Sequence, residues 1–231
     1  LDSIAKNAID SMMTPGIQML VSRKGKIVYN KSFGYHTYEN ITKLENNHIF
    51  DLSSITKILA TMPLVLQEHE KGKLSLETKL SELFPKTKLN DKGDISLKEM
   101  LSHYARLRPW IPFYEETLNK KDKPRSRFYK SISRSSFSTP VTDNMFLKTN
   151  YREKIFKSIL DSELRDDLEY KYSDLPFYFL KFWFEDVYDK PLDVLASERV
   201  FKTLGLKRTM FNPYKKINLD EIVPSERDDF F

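Results

Sequence analysis

The sequence predicts an α+β fold, with one β-hairpin near the start of the chain followed by a long, mostly helical part. Two observations favour this class. Glycine is scarce, at 6 of 231 residues, and long alternations of β-branched residues are few, which argues against an all-β sandwich. After residue 50, apolar residues instead recur at three- and four-residue spacing, as they do on helices that face a core.

The first 50 residues predict a helix and then the hairpin. Residues 2–13 form an amphipathic pattern whose apolar face comprises Ile4, Ala8, Ile9 and Met12. Residues 17–23 predict a buried strand, 24–26 a turn and 27–33 the partner strand, which Gly34 ends. A hairpin with one apolar face needs more strands or a helix to cover it, so we expect an incomplete antiparallel sheet in this chain.

The rest of the chain predicts mainly helices. A helix over 54–71 contains Pro63, which should kink or interrupt it, and Gly72 is a suitable residue to end it. Ser96 and Glu99 form a capping-box pattern at the start of a short helix. Further helices are predicted over 151–162, 174–187 and 191–204.

These elements divide the chain into three parts. The N-terminal helix and hairpin occupy 1–50, the helical lobe occupies 51–215, and 216–231 begins a return to the sheet. No convincing strand follows residue 50, and the irregular segment 109–150 receives no assignment. Because the chain begins at Leu1 rather than Met and carries no signal peptide, we expect a processed or shortened chain.

Composition excludes several kinds of site. The chain has no cysteine, which rules out disulfides, thiolate catalysis and cysteine-based zinc sites. Its histidines show no His-Glu-x-x-His spacing and there is no glycine-rich phosphate loop, so the sequence predicts neither a metal nor another cofactor. No apolar run approaches the ~20 residues of a membrane span.

The net charge of +5 comes from one segment. Residues 120–134 carry seven basic residues and one aspartate, and the remaining sequence is close to neutral. A solvated surface loop and a strip that binds polyanions are both compatible with such a segment. Because the basic excess is local rather than spread over a face, we expect no nucleic-acid partner.

Ser54-Ile55-Thr56-Lys57 is the first candidate for chemistry. A serine hydroxyl needs a base to take its proton, and residues three apart on a helix point to the same side. A buried lysine loses its proton more readily than one in water, so Lys57 can activate Ser54. Ser3 and Lys6 show the same spacing, and a capping serine followed by a solvated lysine also fits it. Ser54 differs because it lies where an apolar stretch enters a long helix.

Tyr172-Ser173-Asp174 is the second candidate. A tyrosine close to a serine and a lysine can pass a proton to a leaving group, and a short polar residue two positions on can bind the lysine or a substrate amide. The alternative is a half-buried tyrosine with a hydrogen-bonded hydroxyl group. Tyr38-Glu39-Asn40 also matches a Tyr-x-Asn search, so spacing alone does not distinguish the two.

A series of short motifs follows one order along nearly the whole chain. They are Pro15-Gly16, Phe33-Gly34-Tyr35, Ser54-Ile55-Thr56-Lys57, Leu74-Ser75-Leu76, Met100-Leu101-Ser102-His103, Tyr172-Ser173-Asp174, Leu204-Gly205-Leu206 and Val223-Pro224-Ser225-Glu226. This succession resembles the β-lactamase-related serine hydrolases, which include class C β-lactamases, D-alanyl-D-alanine carboxypeptidases and esterases. The resemblance implies a β-lactamase/transpeptidase-like fold, in which the active site lies between a helical lobe and an antiparallel sheet with flanking helices.

The resemblance also implies roles for individual residues. Ser54 matches the acylated serine, Lys57 the lysine that activates it, and Tyr172 the general base and acid. Asp174 matches a substrate-binding position that is usually Asn in the family. Its negative charge is expected to hold Lys57 protonated, which would weaken the lysine as a base.

Three stretches bear on substrate binding and activity. Where the family has His-Thr-Ser-Gly-Leu, the chain has His103-Tyr104-Ala105-Arg106-Leu107, which is expected to remove a tight glycine turn and to bring Arg106 near the cleft as a substrate-binding candidate. Trp110, in the aromatic segment 109–114, is another candidate, although these aromatic residues could equally plug the core. The family's Lys-Thr-Gly or His-x-Gly strand has no counterpart, and losing its oxyanion-hole donor costs about 2.7–4 kcal/mol.

The sequence therefore predicts a serine hydrolase that acts through a Ser54 acyl-enzyme on an amide or ester, with little activity in this chain itself. A non-catalytic binding or sensor module that keeps the fold is the alternative. The expected partner is a small-molecule or peptide substrate, and the expected location is the periplasm or exterior of a bacterial cell. Fusion to another cell-envelope enzyme such as a glycosidase, and a homo-oligomer formed through the exposed sheet edge, are further expectations.

Overall fold

The structure, a computed structural model, describes residues 1–225, which form two compact units. The first unit comprises residues 1–55 and 205–225, and the second comprises Thr56–Leu204. Of the predicted return to the sheet over 216–231, the part after residue 225 lies outside the described residues, as does Glu226 of the last motif.

The first unit contains the predicted helix and hairpin. Helix α1 (Asp2–Asp10) precedes strands β1 (Gly16–Arg23) and β2 (Lys26–Gly34), which pair antiparallel from Gly16 opposite Gly34 to Arg23 opposite Lys26. Gly34 ends β2 with a φ of 75°, and a Cβ atom there would lie 2.2 Å from the carbonyl oxygen of Pro15. Only glycine fits this position, which confirms the predicted end of the strand.

Burial in this unit differs from the sequence prediction. Strand β1 is not a buried strand, since Leu20 is 60% exposed. The predicted apolar face of α1 is only partly correct: Ala8 and Ile9 are half-buried, but Ile4 is 64% exposed and Met12 is 67% exposed, and the buried residue of the helix is Ala5. The carboxylate of Asp2 accepts hydrogen bonds from the Tyr29 hydroxyl and the Lys31 amine. These contacts turn the Asp2/Ala5 side of α1 towards β2, and they cannot be predicted from the spacing of apolar residues.

Helices dominate the second unit. A π-helical turn (Lys57–Thr61) leads into α2 (Met62–Glu70) and is followed by α3 (Leu80–Leu83), α4 (Leu97–Ser102), α5 (Tyr151–Asp161), α6 (Leu175–Tyr188), α7 (Leu192–Ala196) and a second π-helical turn (Ser197–Phe201). Short 3-10 turns occur at Asn90–Lys92 and Glu115–Thr117 in this unit, and at Pro213–Lys215 and Leu219–Glu221 in the first.

The helix signals read from the sequence are confirmed in this unit. Pro63 directly follows the π-helical turn within a continuous helical run over 55–70, so the predicted interruption is a local change of helix type. Ser96 and Glu99 form the predicted capping box, with the Glu99 N–H donating to Ser96 Oγ at 3.2 Å and the Ser96 N–H donating to Glu99 Oε2 at 2.8 Å. Gly72 follows α2 with a φ of 70°, as a helix-ending glycine does.

A small antiparallel sheet occupies part of the segment that received no assignment. Its strands are β3 (Tyr129–Lys130), β4 (Thr139–Thr142) and β5 (Met145–Leu147), in the order β3-β5-β4. The prediction that no strand follows residue 50 is therefore wrong. These strands have two to four residues, which is too short for an alternating pattern to be recognised in a sequence.

Helix α6 supplies much of the core of the second unit. It is apolar nearly all round, which is typical of a helix surrounded by protein. Its buried residues are Leu175, Pro176, Phe179, Leu180, Phe182, Trp183 and Phe184. Because this core fixes α6, it also fixes Asp174, the residue that caps the N-terminus of the helix.

A buried carboxylate joins α2 to the second π-helical turn. Glu68 is fully buried, and its carboxylate accepts hydrogen bonds from Arg199 and Lys71. Burial alone would raise the pKa of Glu68, but hydrogen bonds from Tyr188, Arg199 and Lys71, together with the charge of Arg199, lower this pKa to about 2. Glu68 is therefore ionised and paired in the folded protein at neutral pH.

Replacing Glu68 with alanine is expected to lower the free energy of unfolding by about 3–5 kcal/mol, because Arg199 loses a buried partner. Urea denaturation measures the effect, with Glu70→Ala, an exposed position on the same helix, as the control. Since the pKa of Glu68 is lowered on folding, its stabilising effect is present above pH 4.5 and should be lost as the pH falls towards 2. Equal stabilities for the two variants at pH 7 would contradict this assignment.

Candidate active site

Ser54 lies in an exposed turn of the first unit, three residues before Lys57 in the chain. The turn is held by hydrogen bonds between neighbouring residues. Ser53 adopts a left-handed conformation with a φ of 44°, its N–H donates to Asp51 Oδ1 at 2.7 Å, and the Ile55 N–H donates to the Leu52 carbonyl oxygen at 2.9 Å. A non-glycine residue in this conformation carries backbone strain, which is common at functional turns.

Lys57 lies at the start of the second unit, among a carboxylate and two aromatic rings. Its Nζ atom is 2.6 Å from Asp174 Oδ1, 5.1 Å from the centroid of the Tyr172 ring and 5.6 Å from that of Phe177. The Lys57 side chain is 15% exposed. The structure thus brings together three of the residues that the sequence singled out, namely Lys57, Tyr172 and Asp174.

This arrangement determines the protonation of Lys57. Burial would lower the pKa of the lysine, but hydrogen bonds to Asp174 and Tyr172, and the negative charge of these groups, raise the pKa above its ordinary value. Lys57 is therefore a cation at neutral pH.

The segment Tyr172-Ser173-Asp174 is anchored to the loop that follows α4. The Ser173 N–H donates to His103 Nδ1 at 3.2 Å, and Ser173 Oγ donates to the Arg108 carbonyl oxygen at 2.6 Å. The Asp174 N–H donates to the Pro109 carbonyl oxygen at 2.8 Å. Ser173 is 2% exposed, whereas Tyr172 is 41% exposed, so the segment is fixed by its middle residue while the phenol remains accessible.

His103 supports Tyr172, a role that sequence reasoning did not assign. It follows α4 with a φ of 62°, and its ring centroid lies 4.5 Å from that of Tyr172. Burial, followed by the positive charge of Lys57, lowers the pKa of His103, so the ring is neutral and Nδ1 can accept the Ser173 N–H. The signal in the sequence is His103 at the end of a predicted helix, but its partner is 70 residues away.

Arg106 has a left-handed backbone conformation with a φ of 58°, the region that favours glycine. The loss of a tight glycine turn at this position stays a prediction. Two hydrogen bonds compensate for the strain: the Arg165 N–H donates to the Arg106 carbonyl oxygen at 2.8 Å, and Arg106 Nε donates to the Arg165 carbonyl oxygen. A role for Arg106 in substrate binding stays a prediction.

Trp110 follows Pro109, whose carbonyl oxygen binds the Asp174 N–H. Its side chain is 57% exposed and lines a cleft of about 330 Å³. Trp110 therefore does not plug the core, and it remains a candidate for substrate binding.

Two further observations concern cofactors and membranes. Within residues 1–225, no group of three or more His, Cys, Asp or Glu side chains is arranged to hold a metal ion. Over the same range, none of the helices has the length and apolar character needed to cross a bilayer.

The comparisons with known proteins agree on one family. The sequence profile of the Beta-lactamase family matches residues 2–218. A Salmonella gallinarum protein named "Putative D-alanyl-D-alanine carboxypeptidase" is 28% identical over 229 residues, which cover 94% of this chain and 48% of that protein. The chain thus spans about half the length of the curated relatives that it matches.

Solved structures show the same fold. EstCE1, described as a hydrolase with promiscuous acyltransferase activity, matches with a TM-score of 0.68 and 22% identity, over 96% of this chain and 54% of its own. A class C beta-lactamase from Rhodobacter sphaeroides matches with a TM-score of 0.60 and 17% identity, over 89% and 49% of the two chains. The predicted β-lactamase/transpeptidase-like fold class is confirmed.

Proposed function

The chain belongs to the Beta-lactamase family, and from this premise we propose that it is a serine hydrolase that forms an acyl-enzyme on Ser54 with an amide or ester substrate. The observation that carries the proposal is the position of the Lys57 amine, which lies against both the Tyr172 phenol and the Asp174 carboxylate. A base and a cation in contact are what a serine hydroxyl needs to become a nucleophile.

The proposed chemistry assigns the base to Tyr172 rather than to Lys57. Because Lys57 is ion-paired and protonated, it has no lone pair with which to accept a proton. In its phenolate form, Tyr172 takes the proton of Ser54 Oγ while this oxygen attacks the substrate carbonyl carbon. The Tyr172 hydroxyl then gives the proton to the leaving group as the carbonyl–leaving-group bond breaks. Water hydrolyses the Ser54 ester by the same sequence of proton transfers.

The Asp174 carboxylate raises the pKa of Lys57, the lysine beside Tyr172. With Asp174→Asn, the Lys57 pKa should fall, because the carboxylate that raises it is gone. The limb of the pH–rate profile for acylation that reports Lys57 should therefore move to lower pH.

Stopped-flow acylation by an activated ester from pH 5 to 10 tests this shift. Asp161→Asn is the matched control, because it removes an aspartate that pairs with Lys157 at 2.6 Å on α5. The control should leave both limbs in place. A pH–rate profile that does not move in Asp174→Asn would contradict the role given to the carboxylate.

A non-catalytic binding or sensor module is the second candidate function. The observation that favours it is the same 2.6 Å ion pair, since a lysine held as a cation by Asp174 cannot serve as the base that activates a serine. Such a module would recognise an acyl compound without forming a covalent bond to Ser54.

Location and partners follow from the proposed chemistry. The carboxypeptidase name of the Salmonella relatives supports a small-molecule or peptide substrate and a place in the bacterial cell envelope. Fusion to another cell-envelope enzyme and self-association through the hairpin edge stay predictions of the sequence.

A further inference from the structure

The cleft beside Trp110 is lined by side chains from five parts of the second unit. The loop after α4 contributes Trp110 and Phe113, β3 contributes Tyr129, β5 contributes Leu147, α5 contributes Ile155 and α6 contributes Tyr178. Its volume of about 330 Å³ lies at the lower end of the range of about 300–1,000 Å³ that is typical of ligand pockets. The cleft is therefore large enough to hold one compact group.

The lining has an apolar and aromatic character. Among the residues that the structure places around the cleft, none carries a charge. Three of the hydroxyl groups in the lining are already hydrogen-bonded within the protein: Thr117 Oγ1 and the Tyr129 hydroxyl lie 2.8 Å apart, and the Tyr151 hydroxyl donates to the Phe113 carbonyl oxygen or to Glu116. A ligand with many polar groups would lose hydrogen bonds to water here without replacing them, whereas a hydrocarbon group would gain by burial.

Two features connect the cleft to the Lys57 cluster, which is the group formed by Lys57, Tyr172 and Asp174. Tyr178 lies one helical turn after Asp174 on α6, and burial and then the charge of Asp174 raise its pKa. Trp110 follows Pro109, which accepts the Asp174 N–H. Phe113 packs against Tyr178 with a centroid distance of 5.3 Å, so the wall of the cleft is fixed to the same helix as the ion pair.

We propose that this cleft binds an apolar aliphatic or aromatic acyl group of the substrate, and that the protein therefore prefers esters or amides of medium-length apolar acids to polar peptides. The proposal rests on the proposed hydrolase function for its link to turnover. Binding of the apolar group itself needs only the cleft, so it can be measured without catalysis.

A series of inert amides from acetamide to octanamide tests the proposal, with binding to the Ser54→Ala protein followed by tryptophan fluorescence. Octanamide should give a saturable shift of the emission to shorter wavelength, because it covers the exposed Trp110 ring. Acetamide should give none, and affinity should rise up to about fourfold for each buried methylene group. Trp110→Phe should remove the shift, which separates Trp110 from the largely buried Trp183.

Ile155→Asp should weaken octanamide binding by about tenfold or more, because it places a charge in the apolar lining. Ile132→Asp is the matched control, since Ile132 is 66% exposed and outside the lining, and it should bind as the parent does. Leu147→Asn provides the same test if Ile155→Asp does not fold. Equal binding of octanamide and acetamide, or full affinity in the folded cleft variants, would overturn the proposal.

The result of the octanamide binding test can be distinguished from the result of the test of the proposed hydrolase function. Octanamide binding, together with no acylation of Ser54 in the parent protein, would support the cleft and reject the hydrolase. Acylation of Ser54 without octanamide binding would reject the cleft alone.

Discussion

Ser54→Ala is expected to reduce acylation by an activated ester or a fluorescent penicillin by about 10³-fold or more, because the variant lacks the oxygen that forms the covalent bond. The labelled fraction of protein after gel separation measures the loss. Ser3→Ala is the matched control, since Ser3 and Lys6 repeat the Ser-x-x-Lys spacing on α1, and it should be labelled at the parent rate.

The same variant distinguishes the two candidate functions. A hydrolase loses turnover in Ser54→Ala, whereas a binding or sensor module keeps its function because no acylation step is involved. Turnover that survives in Ser54→Ala would reject the proposed nucleophile, and an unlabelled parent protein with intact ligand binding would favour the module.

Tyr172→Phe is expected to slow acylation by about 10²–10⁴-fold, which is the usual contribution of a positioned general base. The phenylalanine ring keeps the packing against His103 and the face presented to Lys57, so the change removes the hydroxyl group alone. Pre-steady-state acylation rates measure the effect, and thermal unfolding confirms that the variant is folded.

Tyr170→Phe is the control for this prediction. Tyr170 also packs against the His103 ring, at a centroid distance of 5.9 Å, and it is 57% exposed. The same chemical change at this position should leave the rate unaltered. A comparable loss in both variants, or no loss in Tyr172→Phe, would exclude Tyr172 as the base.

The fold was predictable where local signals are strong. The hairpin is bounded by Gly16 and Gly34, where a Cβ atom would lie 2.3 Å and 2.2 Å from a backbone carbonyl oxygen. Helix α4 begins at a capping box, a pattern that can be recognised from four residues. Orientation was harder, because α1 is turned by contacts from Asp2 to Tyr29 and Lys31, which lie 27 and 29 residues away. The strands of the small sheet are too short for their periodicity to be recognised.

The residues of the candidate site could be predicted from their motifs, but most of the contacts between them could not. The order of the motifs selected Ser54, Lys57 and Tyr172, and the Asp at 174 suggested that Lys57 is held protonated. The packing of His103 on Tyr172 could not be foreseen, since it depends on a loop and a helix that meet only in the folded chain. The apolar cleft could not be predicted from the sequence either, because its walls come from segments that are far apart in sequence.

Peptide mapping by mass spectrometry after reaction with a fluorophosphonate identifies the nucleophilic residue. The proposed mechanism predicts a single adduct, located on Ser54, whose formation depends on the Tyr172 hydroxyl. Recovery of unmodified Ser54 from the folded protein, or an adduct on another residue that forms equally fast in Ser54→Ala, would contradict it.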